Sequence, residues 1–362
     1  MVTEAREPPV VRQRQLYRPS ALSIVGLSLV GIVVIYLALS CIARPADFVN
    51  ITIFGFSTGV IYALIALGYT LVYGILELIN FANGDVFMLG GMMSATLAGG
   101  LFGLTSGQRG IEVWLAVIGV GIIAMAFCGA LNASIEIIAY RPLRSAPRLA
   151  PLITAIGMSF ILQNVGLIWK GPNYINVVDV FPHSNVFSFG GVQYSWDELI
   201  LVIITTPVFF LLLWLVERTR QGKAMRATAQ DADAAAMMGI NVNRTITFTF
   251  LIAGCLAGAA GLVFALWETN IRFDQGFQLG LIAFTAAVLG GIGNLPGAVL
   301  GAILIGLIQA YNEGLSSFNL LGIHFPAPPG SDWTQSIVFA ILIIILVFRP
   351  EGLLGERTPE GG

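Results

Sequence analysis

The chain has 362 residues, of which 56% are hydrophobic and 10% charged, with a net charge of -2. Soluble domains average roughly 45–50% apolar and about 25% charged residues, so this balance excludes an ordinary soluble globular protein and points to an integral membrane protein. Cys41, Cys128 and Cys255 all fall inside apolar runs, which argues against a disulfide framework.

At about 20 residues per crossing, the uncharged blocks in chain order are Ala21 to Ala43, Phe48 to Leu76, Val86 to Gly107, Val113 to Ile135, Leu149 to Trp169, Leu199 to Val216, Thr245 to Trp267 and Trp333 to Phe348. The first follows four arginines. Its length exceeds the 7–15 residues typical of a signal-peptide core, so it reads as an uncleaved anchor. A further block, Gln275 to Asn312, is 38 residues long. As one straight helix it would reach roughly 57 Å, nearly twice the hydrocarbon core, so it must fold back, and "GGIGNLPG" at Gly290 to Gly297 supplies the glycines and proline for the turn. The expectation is an all-α integral membrane protein of about ten transmembrane helices.

Ten spans leave both termini on one side. With the N-terminus in the cytosol, Arg44, Arg109, Lys170 and Arg272 fall outside and the other fourteen of the 18 basic residues fall inside, as the positive-inside rule requires. The domain reading is a cytosolic tail over 1–19, a membrane domain over 20–349 and a cytosolic tail over 350–362. His183 and His324 are read as solvated residues of external loops.

Several chemistries are missing from the sequence. It holds no G-x-x-x-x-G-K-[ST] phosphate loop and no Cys/His cluster with metal-ligand spacing. "GFSTG", Gly55 to Gly59, matches a serine-hydrolase pattern, but no histidine stands in any span to act as its base. Glycine and serine at that spacing serve close helix packing instead.

Between the second and third blocks stands "ELINFANGD", Glu77 to Asp85. The preceding block already exceeds the hydrocarbon thickness, so its helix can break before leaving the membrane. Asn80, Phe81, Asn83, Gly84 and Asp85 then become candidates to line a translocation path, as do Thr285, Gly290, Gly291 and Gly293 of the later block. "ETNIRFDQG", Glu268 to Gly276, repeats its Glu, Phe and Gly about 192 residues on. Two five-span halves related in this way would be inverted. The cytosolic stretch from 217 to 245 carries one predicted amphipathic helix, "MRATAQDADAAAMM", stopped at Gly239.

"DAAAMMG", Asp233 to Gly239, resembles the E-A-A-x-x-x-G loop by which permeases of ABC importers dock on their ATPases, with Asp233 in place of Glu and the later I-x-L-P portion missing. "YALIALGYTLVYGILELINFANGD", "RPLRSAPRLAPLITAIGMSFILQN", "RATAQDADAAAMMGINVNR" and "FTAAVLGGIGNLPGAVLGA" are similar to successive blocks of the branched-chain amino acid ABC transporter permeases. The resemblance runs from about Tyr62 to Ala310. It implies a subunit of the bacterial cytoplasmic membrane that carries branched-chain or other small neutral amino acids. It also implies a second permease subunit (paralogue or identical copy), two cytosolic ATPases, an external substrate-binding protein and lipid as partners, and no nucleic acid. Asp233, Ala234, Ala235, Met238 and Gly239 would form the ATPase-docking loop. No cofactor would bind this chain, ATP being used by the ATPases. The competing reading is an ion-coupled secondary carrier using Glu77, Asp85, Glu136 or Glu268, each of which the sequence places near a wet span end.

Overall fold

A computed structural model describes residues 21–355 apart from 145, 148, 183, 321, 322 and 350. The expected 1–19 tail, most of the 350–362 tail and His183 lie outside the described residues. Twelve α-helices carry the described fold: α1 (Ala21–Ala43), α2 (Pro45–Leu76), α3 (Ala82–Thr96), α4 (Ile111–Ile135), α5 (Leu149–Lys170), α6 (Trp196–Arg218), α7 (Arg220–Gln230), α8 (Ala232–Met237), α9 (Val242–Glu268), α10 (Gln275–Gly290), α11 (Leu295–Gly314) and α12 (Ser331–Phe348). Short π-helical turns prolong α3 over Leu97–Leu101 and α4 over Glu136–Tyr140.

Small antiparallel strand pairs tie the connections. Ile175–Asn176 (β1) pairs with Asn270–Ile271 (β4), Asn185–Phe189 (β2) with Val192–Ser195 (β3), and Phe318–Leu320 (β5) with Ile323–Phe325 (β6). His324 lies on β6, where its Nδ1 is 2.8 Å from Asn319 Oδ1.

Among the described residues, seven helices are long and apolar enough to cross a membrane. The sequence led to ten. α10 and the Gly31–Ala43 part of α1 are shorter apolar helices, and α3 is a 15-residue helix carrying Asp85 in its first turn. The fold is thus that of an all-α, multi-pass membrane protein.

α2 and α9 form the centre, each with 78% of its apolar window buried, whereas α6 and α12 bury 17% and 11% and present Phe210, Trp214, Ile343 and Val347 outward. The two central helices run antiparallel, with Phe54 against Trp267 at one end and Gly68 against Ala253 further along. α2 packs on α11, α9 on α4 and α3, and α10 on α2, α3 and α11. The α2–α11 seam is a backbone contact: a Cβ added to Gly59 would lie 2.7 Å from Ile303 Cα. Small residues permit such approaches in lipid, where tight packing and hydrogen bonds replace hydrophobic burial as the force joining helices. This is the role of "GFSTG", in which Ser57 donates to Ile53 O within α2 at 3.1 Å.

The fold-back expected at "GGIGNLPG" is present. α10 ends at Gly290, Gly291 and Gly293 adopt φ of 112° and 89°, and Asn294 caps α11 by accepting from Gly297 N at 2.9 Å. The chain end clasps this turn, since Leu353 N and Leu354 N donate to Leu289 O (2.8 Å) and Gly290 O (3.0 Å).

Candidate functional site: a broken helix and a docking elbow

α2 has 32 residues, roughly 48 Å of helix against a hydrocarbon core of about 30 Å. It stops at Leu76 because Glu77 turns left-handed at φ 52°, its N–H still closing the last turn on Tyr73 O at 2.8 Å. Leu78 to Phe81 then reverse the chain, and α3 starts beside α2 rather than beyond it. Gly68 marks the depth, because a Cβ there would be 3.0 Å from Asn83 Nδ2. Gly68 precedes Leu76 by eight residues, so Asn83 sits roughly 12 Å back along α2 from its end. The chain breaks its helix while still inside the bundle.

A second break answers the first. α9 ends at Glu268, and Thr269 turns left-handed at φ 54°; among the described residues, Glu77 and Thr269 are the non-glycine positions with positive φ. α10 then starts against α3. A Cβ on Gly276 would lie 2.7 Å from Gly84 O, and one on Gly84 would lie 2.8 Å from Gly280 Cα, so the first turns of the two helices touch backbone to backbone.

The polar residues of the first break divide sharply. Asn80 is occupied: Tyr140 Oη donates to its Oδ1 at 2.7 Å, its Nδ2 lies 3.5 Å from Asn132 Oδ1, and Asn132 Nδ2 donates to Phe250 O at 2.8 Å. This network staples the break to α4 and α9. Phe81 packs against Phe284, ring centroids 6.1 Å apart. Asn83 is different. It is 0% exposed, and neither its Oδ1 nor its Nδ2 has a hydrogen-bond partner. Asp85, also 0% exposed, accepts from Ser159 Oγ of α5 through Oδ2, and Gln163 Nε2 supports that serine at 3.2 Å, yet Oδ1 has no partner. A buried polar atom left unpaired costs about 1–3 kcal/mol. Three such atoms within one helical turn make a place where a polar visitor lowers the free energy.

The other predicted path residues lie on α10 and in the α10–α11 turn. Thr285 is buried on α10 and spends its hydroxyl on Leu281 O at 2.9 Å. Gly290, Gly291 and Gly293 form the α10–α11 turn, Gly291 packed on Gly355 and Gly293 facing Gly74 near the end of α2. Sequence reasoning passed over Ser159 and Gln163; their signal was polarity at i, i+4 on a largely apolar helix.

Two carboxylates treated as wet in the sequence reading are not. Glu136 is 0% exposed, paired with Arg141 (3.1 Å) and Arg144, and accepts from Thr247 Oγ1 at 2.6 Å; Arg144 also reaches Asn243 Oδ1 at 2.7 Å. It locks the end of α4 to the start of α9. Asp85, as described, is buried. Glu77 and Glu268 are exposed.

The predicted docking helix is two helices. Asp231 breaks it, taking extended backbone (φ -157°, ψ 107°) and capping α8 by accepting from Asp233 N and Ala234 N, both at 2.9 Å. Such an N-cap outcompetes continuation of α7. Gly239 closes α8 at φ 84°, its N–H on Ala236 O and that of Ile240 on Ala235 O, both 3.0 Å. Ala235 is buried, Ala234 half-buried, and Asp233, Gly239 and Met238 are exposed, Met237 and Met238 at 83% each. α7 packs on α2, α6 and α9, with Met225 buried beneath it. The elbow therefore holds two bare methionines, flexible apolar side chains suited to seating in a partner's groove, on a mount fixed to the central helix.

A sequence model of the family described as "Branched-chain amino acid transport system / permease component" matches residues 51–347. A Pseudomonas aeruginosa protein named "High-affinity branched-chain amino acid transport system permease protein BraD" is 39% identical over 309 residues, covering 84% of this chain and 95% of the relative. An Escherichia coli protein, "High-affinity branched-chain amino acid transport system permease protein LivH", is 36% identical over 313 residues with the same coverage. More distant is the Shigella flexneri "Autoinducer 2 import system permease protein LsrC", 27% identical over 297 residues, 81% of this chain and 77% of the relative. By the extent of these matches, the chain belongs to the permease component family of branched-chain amino acid ABC transport systems.

Proposed function

We propose that this permease carries branched-chain or other small neutral amino acids across a bacterial cytoplasmic membrane, driven by two separate ATPase subunits and supplied by an external binding protein. A second permease subunit completes the pathway, and this chain hydrolyses no ATP itself. The observation that carries the reading is the broken helix with Asn83 and Asp85 buried and partly unpartnered at its restart. A zwitterion presents both a carboxylate and an ammonium. Amide N–H groups of Asn83 and the first turn of α3 answer the former, and the free oxygen of Asp85 the latter. Both side chains are fully buried, so admission requires α3 to move against α2, α5 or α10. The α7–α8 elbow, packed on α2, is where an ATPase stroke would be delivered.

Ten spans in two inverted halves fit the packing. α2 on α11 corresponds to α9 on α4, α3 on α9 to α10 on α2, and α3 on α5 to α10 on α12. Counterpart helices α2 and α9 run antiparallel, and the counterpart glycines Gly84 and Gly276 meet each other. With both termini cytosolic, the elbow, Glu136 and the α10–α11 turn lie inside and the β2–β3 hairpin outside. The deciding experiment reconstitutes the chain with its cognate ATPases, second permease and binding protein. ATP-dependent accumulation of leucine, isoleucine or valine is expected; accumulation by this chain alone on a proton or sodium gradient would instead make it a secondary carrier.

A further inference from the structure

α6 is uncharged from Leu199 to Val216, roughly 27 Å of helix against a hydrocarbon core of about 30 Å. The residues that follow therefore stand at headgroup level, whichever side of the membrane that is. Phe210, Leu211 and Trp214 lie outward near this end, each about 60% exposed. Arg218 continues their face, one turn beyond Trp214 at i, i+4.

The chain then turns back on itself. Thr219 caps α7 by accepting from Gly222 N at 3.0 Å, and a Cβ at Gly222 would run into Val216 O, so α7 starts backbone to backbone against the last turn of α6. Arg226 braces the corner by donating to Val216 O and, at 3.3 Å, to Glu217 O. Gly222, Met225 and Thr228 are buried on one side of α7, which leaves Arg220 and Lys223 outward. Arg218, Arg220 and Lys223 are all exposed, and none of their side chains makes a hydrogen bond or ion pair with another described residue. Glu217 offsets one charge, and the corner stays net positive.

Uncommitted cations at the foot of an outward apolar stripe match an amphiphile with an anionic head. A tryptophan one turn short of the cations suits the boundary between acyl chains and headgroups. We infer that the α6–α7 corner binds an anionic phospholipid. Its acyl chain runs along Phe210, Leu211 and Trp214, and its phosphate meets Arg218, Arg220 and Lys223. Each such cation is worth about fivefold in attraction to an anionic membrane surface. Because α7 packs on α2 and leads into the docking elbow, the headgroup ties the mount of that elbow to the membrane surface. The inference needs α6 to cross the membrane and is independent of what the permease carries.

The test is photo-crosslinking in nanodiscs that hold the complete transporter in phosphatidylcholine mixed with phosphatidylglycerol. Gln221, exposed between Arg220 and Lys223, is replaced by a benzophenone amino acid, and one or the other lipid carries the label in parallel samples. Per mole of lipid, phosphatidylglycerol should be captured roughly tenfold or more over phosphatidylcholine. Arg218→Gln and Lys223→Gln should each lower that preference about fivefold. Arg244→Gln, which removes an exposed charge at the start of α9, should leave it unchanged, and excess glycerol phosphate should not displace the lipid. Equal capture of the two lipids, capture of neither, or a preference untouched by Arg218→Gln and Lys223→Gln overturns the inference. An equal fall with Arg244→Gln also overturns it, reducing the effect to diffuse surface charge. Displacement by glycerol phosphate would make the corner a soluble-anion site instead, and crosslinking of a second permease or an ATPase in place of lipid would make it a protein interface. None of these outcomes alters the assignment of substrate.

Discussion

Replacing Asn83 with leucine separates stability from transport. Asn83 has two buried polar atoms without partners, each carrying an unrecovered desolvation cost of about 1–3 kcal/mol. Leucine is of similar length and asks for no hydrogen bond, so Asn83→Leu should relieve about 2 kcal/mol or more and raise the thermal unfolding midpoint of the purified permease. A merely structural asparagine would give the reverse. If the same two atoms hold substrate in passage, their removal should cost uptake roughly 10- to 100-fold, one decade per ~1.4 kcal/mol. The assay pairs initial leucine uptake in proteoliposomes with unfolding monitored on the same preparation, membrane levels and ATPase assembly being checked alongside. Uptake within twofold of the unmodified protein would refute a pathway role. A lowered midpoint accompanying lost uptake would show that Asn83 braces the break.

Other positions give sharper mechanical tests. A Cβ at Gly239 meets nothing within 4 Å in the isolated chain, so Gly239→Ala should cost only the backbone strain of about 1 kcal/mol, whereas Gly239→Arg should keep the permease folded and abolish ATPase co-purification and uptake. Normal assembly by the arginine variant would mean that α8 is a simple connector. Glu136→Ala strands two guanidinium groups and should destabilise by roughly 3–5 kcal/mol, seen as a lowered unfolding midpoint and loss of membrane-inserted protein; an unchanged midpoint would show that water solvates that pair. In a cysteine-free background, a cysteine at Asn185 on the β2–β3 hairpin should react with an impermeant thiol reagent in intact cells, while one at Ala229 on α7 should stay shielded. Labelling of Ala229 from outside would reverse the proposed topology.

What the sequence determined by itself is governed by local physics. Hydrocarbon thickness against run length made the chain a multi-pass membrane protein, and a 38-residue run had to fold back at its glycines and proline, as it does at Gly290 to Leu295. Surplus length in α2 placed a break near Glu77, and Gly239 stopped the helical segment predicted to dock. The bend at Asp231 was also written locally, as an acidic N-cap competing with helix continuation, although a run of helix formers obscured it. Tertiary structure alone decided which polar residues are spent. Asn80 and Asn83 are three residues apart and of the same type, yet Asn80 finds Tyr140 60 residues away, and Asn132 finds Phe250 at a separation of 118, while Asn83 meets Gly68 and finds no partner. Glu136 likewise passes for a wet span end until Arg141, Arg144 and Thr247 close on it. A hydrogen bond depends on which atoms the packing of distant helices brings within about 3 Å, and no local pattern of residues carries that distance.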